Sequence, residues 1–140
     1  MGGHKHIETC IGTYIASHYT SAVEIGIGNN TVAAECIRAA GKTIRCTDIR
    51  ETTPDEGLDF FVNDVFEPDF DIYSGAEVIY AIRPGIEMIP PLISLAQHID
   101  ADLLVYHLGF ERYQDGGETI DCGVVLHRYY SGGKPPKRVT

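Results

Sequence analysis

Residues 23–30 read VEIGIGNN, and Asp48, Asp64, Arg83 and His107 follow further along the chain. A pair such as Gly26 and Gly28 lets a backbone turn approach a ligand closely and aims the N–H groups of the next helix at it. Dinucleotides place a pyrophosphate on such a turn and commonly require a third glycine for close helix–strand packing. Here the third slot is Thr31, and Glu24 precedes the first glycine by two residues. A carboxylate at that point opposes a pyrophosphate, since two unit charges about 5 Å apart cost about 3 kcal/mol at an effective dielectric near 20.

A ligand that carries positive charge removes the conflict. S-adenosylmethionine has an ammonium, a sulfonium and a carboxylate but no phosphate. Glu24 then favours its cationic groups, while the glycine turn and the helix N-terminus meet its carboxylate. Asp48 lies twenty residues beyond Gly28, the offset of an acid that grips a ribose diol.

Two further residues could serve a reaction. Arg83 is always charged and cannot act as a base; it either clamps a substrate carboxylate or phosphate in a bidentate fork or pairs with Glu87, four residues on. His107 interrupts the apolar run LLVYHLGF. It is either a base that accepts a proton from a nucleophile attacking a methyl group, or a histidine satisfied by a backbone partner at the rim of a sheet. Methyl transfer itself needs little acid–base help when the acceptor is already nucleophilic, because alignment supplies much of the acceleration.

These residues need a frame that brings them together. Ile7, Cys10, Ile11, Tyr14 and Ile15 have helical spacing over residues 6–19. Residues 22–26 read as a short buried strand. Asn29, Asn30 and Thr31 offer capping chemistry for a helix over TVAAECIRAAG, stopped by Gly41. Strands follow in KTIRCTDI, at 60–65, at 77–82 and at 101–108, with a helix over 86–99 whose first turn holds Pro90 and Pro91. One helical turn is allowed in FEPDFDIYSGA, and 118–130 supplies one or two last strands.

Alternation of helices with short apolar strands predicts a doubly wound, mostly parallel α/β sheet of Rossmann-like type. The expected strand order is 3-2-1-4-5, with antiparallel material from 118–130 at one edge. Ligands bind beyond the carboxyl ends of such strands, where Glu24, Gly26, Gly28, Asp48, Asp64, Val65, Arg83 and His107 fall.

VEIGIG, CTDIR and NDV at successive strand ends, with IYAIRP at the fourth, resemble the cofactor motifs of class I S-adenosylmethionine-dependent methyltransferases. More narrowly, the chain resembles a family of small uncharacterised archaeal proteins with a reduced methyltransferase-like fold. The resemblance spans roughly residues 6–108. It implies that Glu24, Gly26 and Gly28 line the methionine part of the ligand, that Asp48 bonds the ribose, and that Asp64 meets the adenine amino group with Val65 beside the ring. Each has a plainer reading. The glycines allow a tight turn, Asp48 caps a strand end, and Asn63–Asp64 suits a turn. Many amino-group methyltransferases carry an acid or Asn followed by Pro-Pro-aromatic after strand four. This chain has Ile82–Arg83–Pro84–Gly85 instead.

Bulk properties narrow the function classes. The length of 140 residues suits one core, here residues 1–131, with a flexible basic tail over 132–140 that carries Lys134, Lys137 and Arg138. A net charge of −9 disfavours a nucleic-acid partner. No run is long and apolar enough for a membrane span and the N-terminus lacks a secretory signal, so a cytoplasmic protein is expected. Cys10, Cys36, Cys46 and Cys122 form no C-x-x-C pair and read as buried reduced thiols; His4 and His6 alone do not make a metal site, and none is expected.

Three functions fit to different degrees. One is a methyltransferase-like protein that binds S-adenosylmethionine and acts on an unidentified methyl acceptor, with His107 and Arg83 as its catalytic candidates. Another is a non-catalytic adenosyl-ligand sensor or interaction module, favoured by the short loops and the departure after strand four. A nicotinamide-dependent oxidoreductase is disfavoured by Glu24 and Thr31. Only 32 residues follow residue 108; a monomer would hold the cofactor in an open cleft, which a homodimer could complete.

Overall fold

A computed structural model describes residues 3–51 and 57–133, with side chains from residue 6 onward. The expected basic tail at Lys134, Lys137 and Arg138, part of the loop after the second strand, and the His4 side chain lie outside the described residues. The elements run α1 (Gly3–His18), β1 (Ser21–Ile25), α2 (Val32–Ala39), β2 (Thr43–Asp48), β3 (Asp59–Val62), α3 (Phe70–Tyr73), β4 (Val78–Ile82), α4 (Ile89–Ile99), β5 (Asp102–Tyr106), β6 (Glu118–Asp121) and β7 (Val125–Tyr130). They build one seven-stranded sheet of order β3-β2-β1-β4-β5-β7-β6. The first five are parallel, and β7 and β6 join antiparallel at one edge. This is the 3-2-1-4-5 order with antiparallel strands at one edge that the sequence implies.

Local chemistry sets the element ends. Gly41 adopts φ +82° just past α2, where an L side chain would be strained. Pro90 and Pro91 occupy the first positions of α4, where their missing N–H groups are not needed, and Ile86–Met88 form a 3-10 turn ahead of them. The helix expected from residue 86 therefore begins at Ile89. Among the capping candidates, Asn30 accepts the Val32 N–H at 3.1 Å, whereas Thr31 makes no side-chain cap bond.

Side-chain alternation along the strands splits the core into two layers. Ala22, Val78, Tyr80 and Leu104 face the side covered by α1 and α2, together with Ile11, Ile15 and Ile37. Val23, Ile25, Ile79, Ala81, Leu103 and Val105 face α4, with Ile89, Leu92 and Leu95. The layering places Glu24, which lies in register with Cys46 on one side and Tyr80 on the other, on the α1–α2 face. All four cysteines are free. Cys46 is buried as expected, but Cys10, Cys36 and Cys122 are only half-buried.

Helices α1 and α2 cross at a glycine. A Cβ on Gly12 would lie 2.8 Å from both the Ala33 carbonyl oxygen and the Cys36 Cβ. Gly12→Ala therefore sets two effects against each other. Helix propensity favours alanine by about 1 kcal/mol, while overpacking against a backbone that cannot yield costs about 1–3 kcal/mol. The net expectation is a melting temperature a few degrees lower. An unchanged or raised value would mean that the two helices separate at no cost.

Candidate functional site

The glycine turn is built by the conformations its residues must adopt. Gly26 and Gly28 have φ +76° and +56°, and nothing lies within 4 Å of a Cβ placed on either. Backbone handedness, not crowding, demands glycine at both positions. The turn's amides are directed into the protein: Gly26 and Ile27 N–H donate to the Thr47 carbonyl at 2.8 and 3.0 Å. Gly28 N–H donates to Asp48 Oδ2 at 2.8 Å. These three donors are thus committed to β2, which corrects the expectation that the turn presents them to a ligand carboxylate.

Asp48 has two duties. Its Oδ2 clasps Gly28, and its Oδ1 accepts the Arg50 N–H at 3.1 Å. Each carboxylate oxygen has a second lone pair, so the clasp leaves capacity for a hydroxyl. Asp64 Oδ1 accepts the Phe66 N–H at 2.9 Å, the local turn that Asn and Asp favour. Neighbouring Asn63 accepts the Tyr73 O–H at 2.8 Å, which ties the end of β3 to α3.

A cavity of about 370 Å³ opens beyond the ends of β1, β2 and β3. Its walls are apolar at Ile25, Ile49, Val65, Phe66 and Met88, and its polar groups come from Asp48, Asn63, Asp64 and Glu87. Among the described residues, no lysine or arginine lines it. The structure therefore brings Gly26, Asp48, Asp64 and Val65 to one crevice. The lining residues that the sequence did not assign to the site are Ile25, Ile49, Asn63, Phe66, Glu87 and Met88. Each sits within a few residues of a strand end, which is the signal that could have found them.

Glu24 does not line this crevice. It is 2% exposed, beneath α1 and α2, and its Oε1 accepts the Tyr80 O–H at 2.8 Å. Burial pushes its carboxyl up to about 8, against the opposing pull of the Tyr80 hydrogen bond; the nearby Glu8 adds to the rise. Glu24 is therefore a buried, largely neutral acid near pH 7, not the exposed anion that its place before the glycine turn suggested. It shares a second, smaller cavity with Glu8, Gly26, Asn30 and Arg83.

Arg83 pairs with Glu8, not with Glu87. Its Nη1 donates to Glu8 Oε2 at 2.7 Å, and its guanidinium lies 5.3 Å from the centre of the Tyr106 ring. Its own φ is +58°, a conformation rare outside glycine. His107 is buried next to the antiparallel edge, with Nε2 2.7 Å from the Tyr129 hydroxyl. That hydroxyl accepts the Tyr113 N–H, and the His127 ring stands 5.0 Å from that of His107. Burial, aided by His127, lowers the His107 pKa from its ordinary value. His107 lines neither of the two cavities described above.

A family model covers most of this architecture. The uncharacterised protein family UPF0146 matches residues 8–116. The chain belongs to UPF0146. Among UPF0146 relatives, a protein of Archaeoglobus fulgidus is 38% identical over 96 residues, covering 68% of this chain and 74% of its own. One of Pyrococcus horikoshii is 33% identical over 112 residues, covering 76% of this chain and 86% of its own. A solved Haemophilus influenzae structure, described provisionally as that of a methylase, aligns with a TM-score of 0.48 at 10% identity, over 87% of this chain and 85% of that one. Among the described residues of this UPF0146 chain, no helix is long and apolar enough to cross a membrane, and no group of three or more His, Cys, Asp or Glu could hold a metal ion.

Proposed function

We propose that this UPF0146 protein binds an adenosyl ligand of the S-adenosylmethionine type in the crevice at the ends of β1 to β3. The observation that carries the reading is the lining: three carboxylates, an amide and five apolar side chains, with no basic group among them. Such a surface suits a flat aromatic ring with hydrogen-bond donors and a ribose diol, and it repels phosphate. The volume lies within the usual range of ligand sites, ~300–1000 Å³. In this reading Asp48 receives the ribose hydroxyls, Asp64 receives the adenine amino group, and Ile49, Val65 and Phe66 flank the ring. Gly26 and Gly28 shape the turn between this crevice and the smaller cavity, where Glu24 stands.

Methyl transfer to an unidentified acceptor is the enzymatic form of this function, with His107 as its base and Arg83 as its clamp. The non-catalytic form, an adenosyl-ligand sensor, draws support from a specific observation. Arg83 is already engaged by Glu8, and His107 Nε2 by Tyr129.

Calorimetric titration with S-adenosylmethionine, S-adenosylhomocysteine and NAD tests the ligand class. Binding of the first two but not of NAD is expected, with amide shifts at Gly26, Gly28 and Asp48. Saturable binding of NAD alone would reverse the assignment. Assays of the adenosyl-bound protein against candidate acceptors would then separate the enzymatic form from the sensor.

A further inference from the structure

We propose that the small cavity between α1, β1 and β4 is a receptor for a primary ammonium group, and that Glu8 is its receiving carboxylate. The inference rests on the adenosyl-ligand reading and extends it to the part of the ligand that leaves the main crevice. Glu8 is 1% exposed. One of its oxygens, Oε2, accepts from Arg83; the other, Oε1, is buried with no hydrogen-bond partner. An acceptor oxygen left buried without a partner is unfavourable, so a donor is strongly favoured there.

Size and charge define that donor. The cavity is about 50 Å³, above the ~10–15 Å³ that a single water requires, so it admits a small polar group. It contains two carboxyl groups, Glu8 and Glu24, and one cation, Arg83. A carboxylate or phosphate entering it would meet two acids. A compact cation with several N–H donors satisfies Glu8 Oε1 and favours ionisation of the neighbouring Glu24, whose charge it then balances. The cavity shares Gly26 with the main crevice, so one ligand with a short chain can reach both. The ligand class implied is an adenosyl thioether or sulfonium that bears an amino-acid side chain.

The test uses the full chain and two probe pairs. S-adenosylhomocysteine carries the ammonium, and 5′-methylthioadenosine lacks the whole amino-acid portion. The wild-type protein should favour the first by tenfold or more in calorimetry. Glu8→Gln should abolish most of that preference by weakening S-adenosylhomocysteine alone. Separately, methylammonium chloride should raise the melting temperature of the wild type more than tetramethylammonium chloride at equal ionic strength, and Glu8→Gln should remove the difference. Should Glu8→Gln fail to fold, Glu8→Asp keeps a charge for Arg83 while withdrawing the carboxylate by one methylene, and should shrink both differences.

Either effect lost in the variant supports the receptor. Variants that keep both wild-type differences, or a wild type that shows neither difference, overturn it. If neither nucleoside binds the wild type but the methylammonium effect is present and depends on Glu8, the receptor stands and the adenosyl reading falls.

Discussion

Asp48→Ala is expected to reduce affinity for S-adenosylhomocysteine by roughly two orders of magnitude and to lower the melting temperature as well. Both effects come from one carboxylate. Oδ2 holds the Gly28 N–H and Oδ1 holds the Arg50 N–H, and hydrogen bonds to a charged group contribute about 1.5–3 kcal/mol each. Because Asp48 is only partly buried, water replaces part of what is lost, so the stability change stays at the lower end of the combined figure. The affinity change is larger. The variant loses the proposed ribose acceptor, and it also releases a turn that must hold two positive-φ glycines against the crevice.

Asp48→Asn separates these contributions. The amide oxygen can still accept the Gly28 N–H, while the amide nitrogen cannot accept from Arg50 or a hydroxyl. The Gly28 amide resonance should therefore stay close to its wild-type position in Asp48→Asn and move in Asp48→Ala, with affinity reduced in both. Wild-type affinity in Asp48→Ala would remove Asp48 from the site.

The frame around this residue was legible because its cues are local. Short apolar strands, Gly41 after α2 and the paired prolines at α4 each report on their own neighbourhood. Right-handed crossovers restrict the strand order to a few arrangements, and the resemblance to methyltransferases implies 3-2-1-4-5 among them. The crevice residues Gly26, Asp48, Asp64 and Val65 were legible for the same reason, since each ends or follows a strand. What local cues could not show is which partner a polar group takes.

Glu24 and Tyr80 are separated by 56 positions, and Glu8 and Arg83 by 75. Only strand register and the placement of α1 over the sheet make them neighbours. One sign was present. Glu8 lies on the same stripe as Ile11 and Ile15, three and seven residues on, both of which are buried. A carboxylate on the apolar stripe of a helix needs a partner in the interior. Reading Glu24 as a free anion failed because position in a motif says nothing about dielectric surroundings.

That surrounding gives Glu24 a large expected pH effect between about pH 4.5 and 8. In the unfolded chain its carboxyl ionises at an ordinary value near 4.5, while in the fold it is held at about 8. Between those two values the native state carries one proton more than the unfolded state, so stability falls as pH rises through the window. Each pH unit across it is worth about 1.4 kcal/mol, and the total contribution lost by pH 8 is roughly 3–5 kcal/mol.

The groups facing Glu24 do not offset this. Tyr80 supplies one hydrogen bond, Cys46 is itself pushed up to about 12 by burial, and Arg83 is paired with Glu8. Glu24→Gln keeps an acceptor for the Tyr80 O–H and cannot ionise. It should match the wild type below about pH 4.5 and exceed it increasingly up to pH 8, with a constant gap above. Urea unfolding at pH 5, 6.5, 8 and 9 measures that gap directly. A variant whose stability tracks the wild type at all four values would mean that Glu24 ionises freely in the fold. Binding of an ammonium beside Glu8 should have the opposite effect on the wild type, drawing Glu24 toward its ionised form and releasing a proton at neutral pH. Calorimetry of S-adenosylhomocysteine in buffers of different ionisation enthalpy reads that proton, and Glu24→Gln should abolish it.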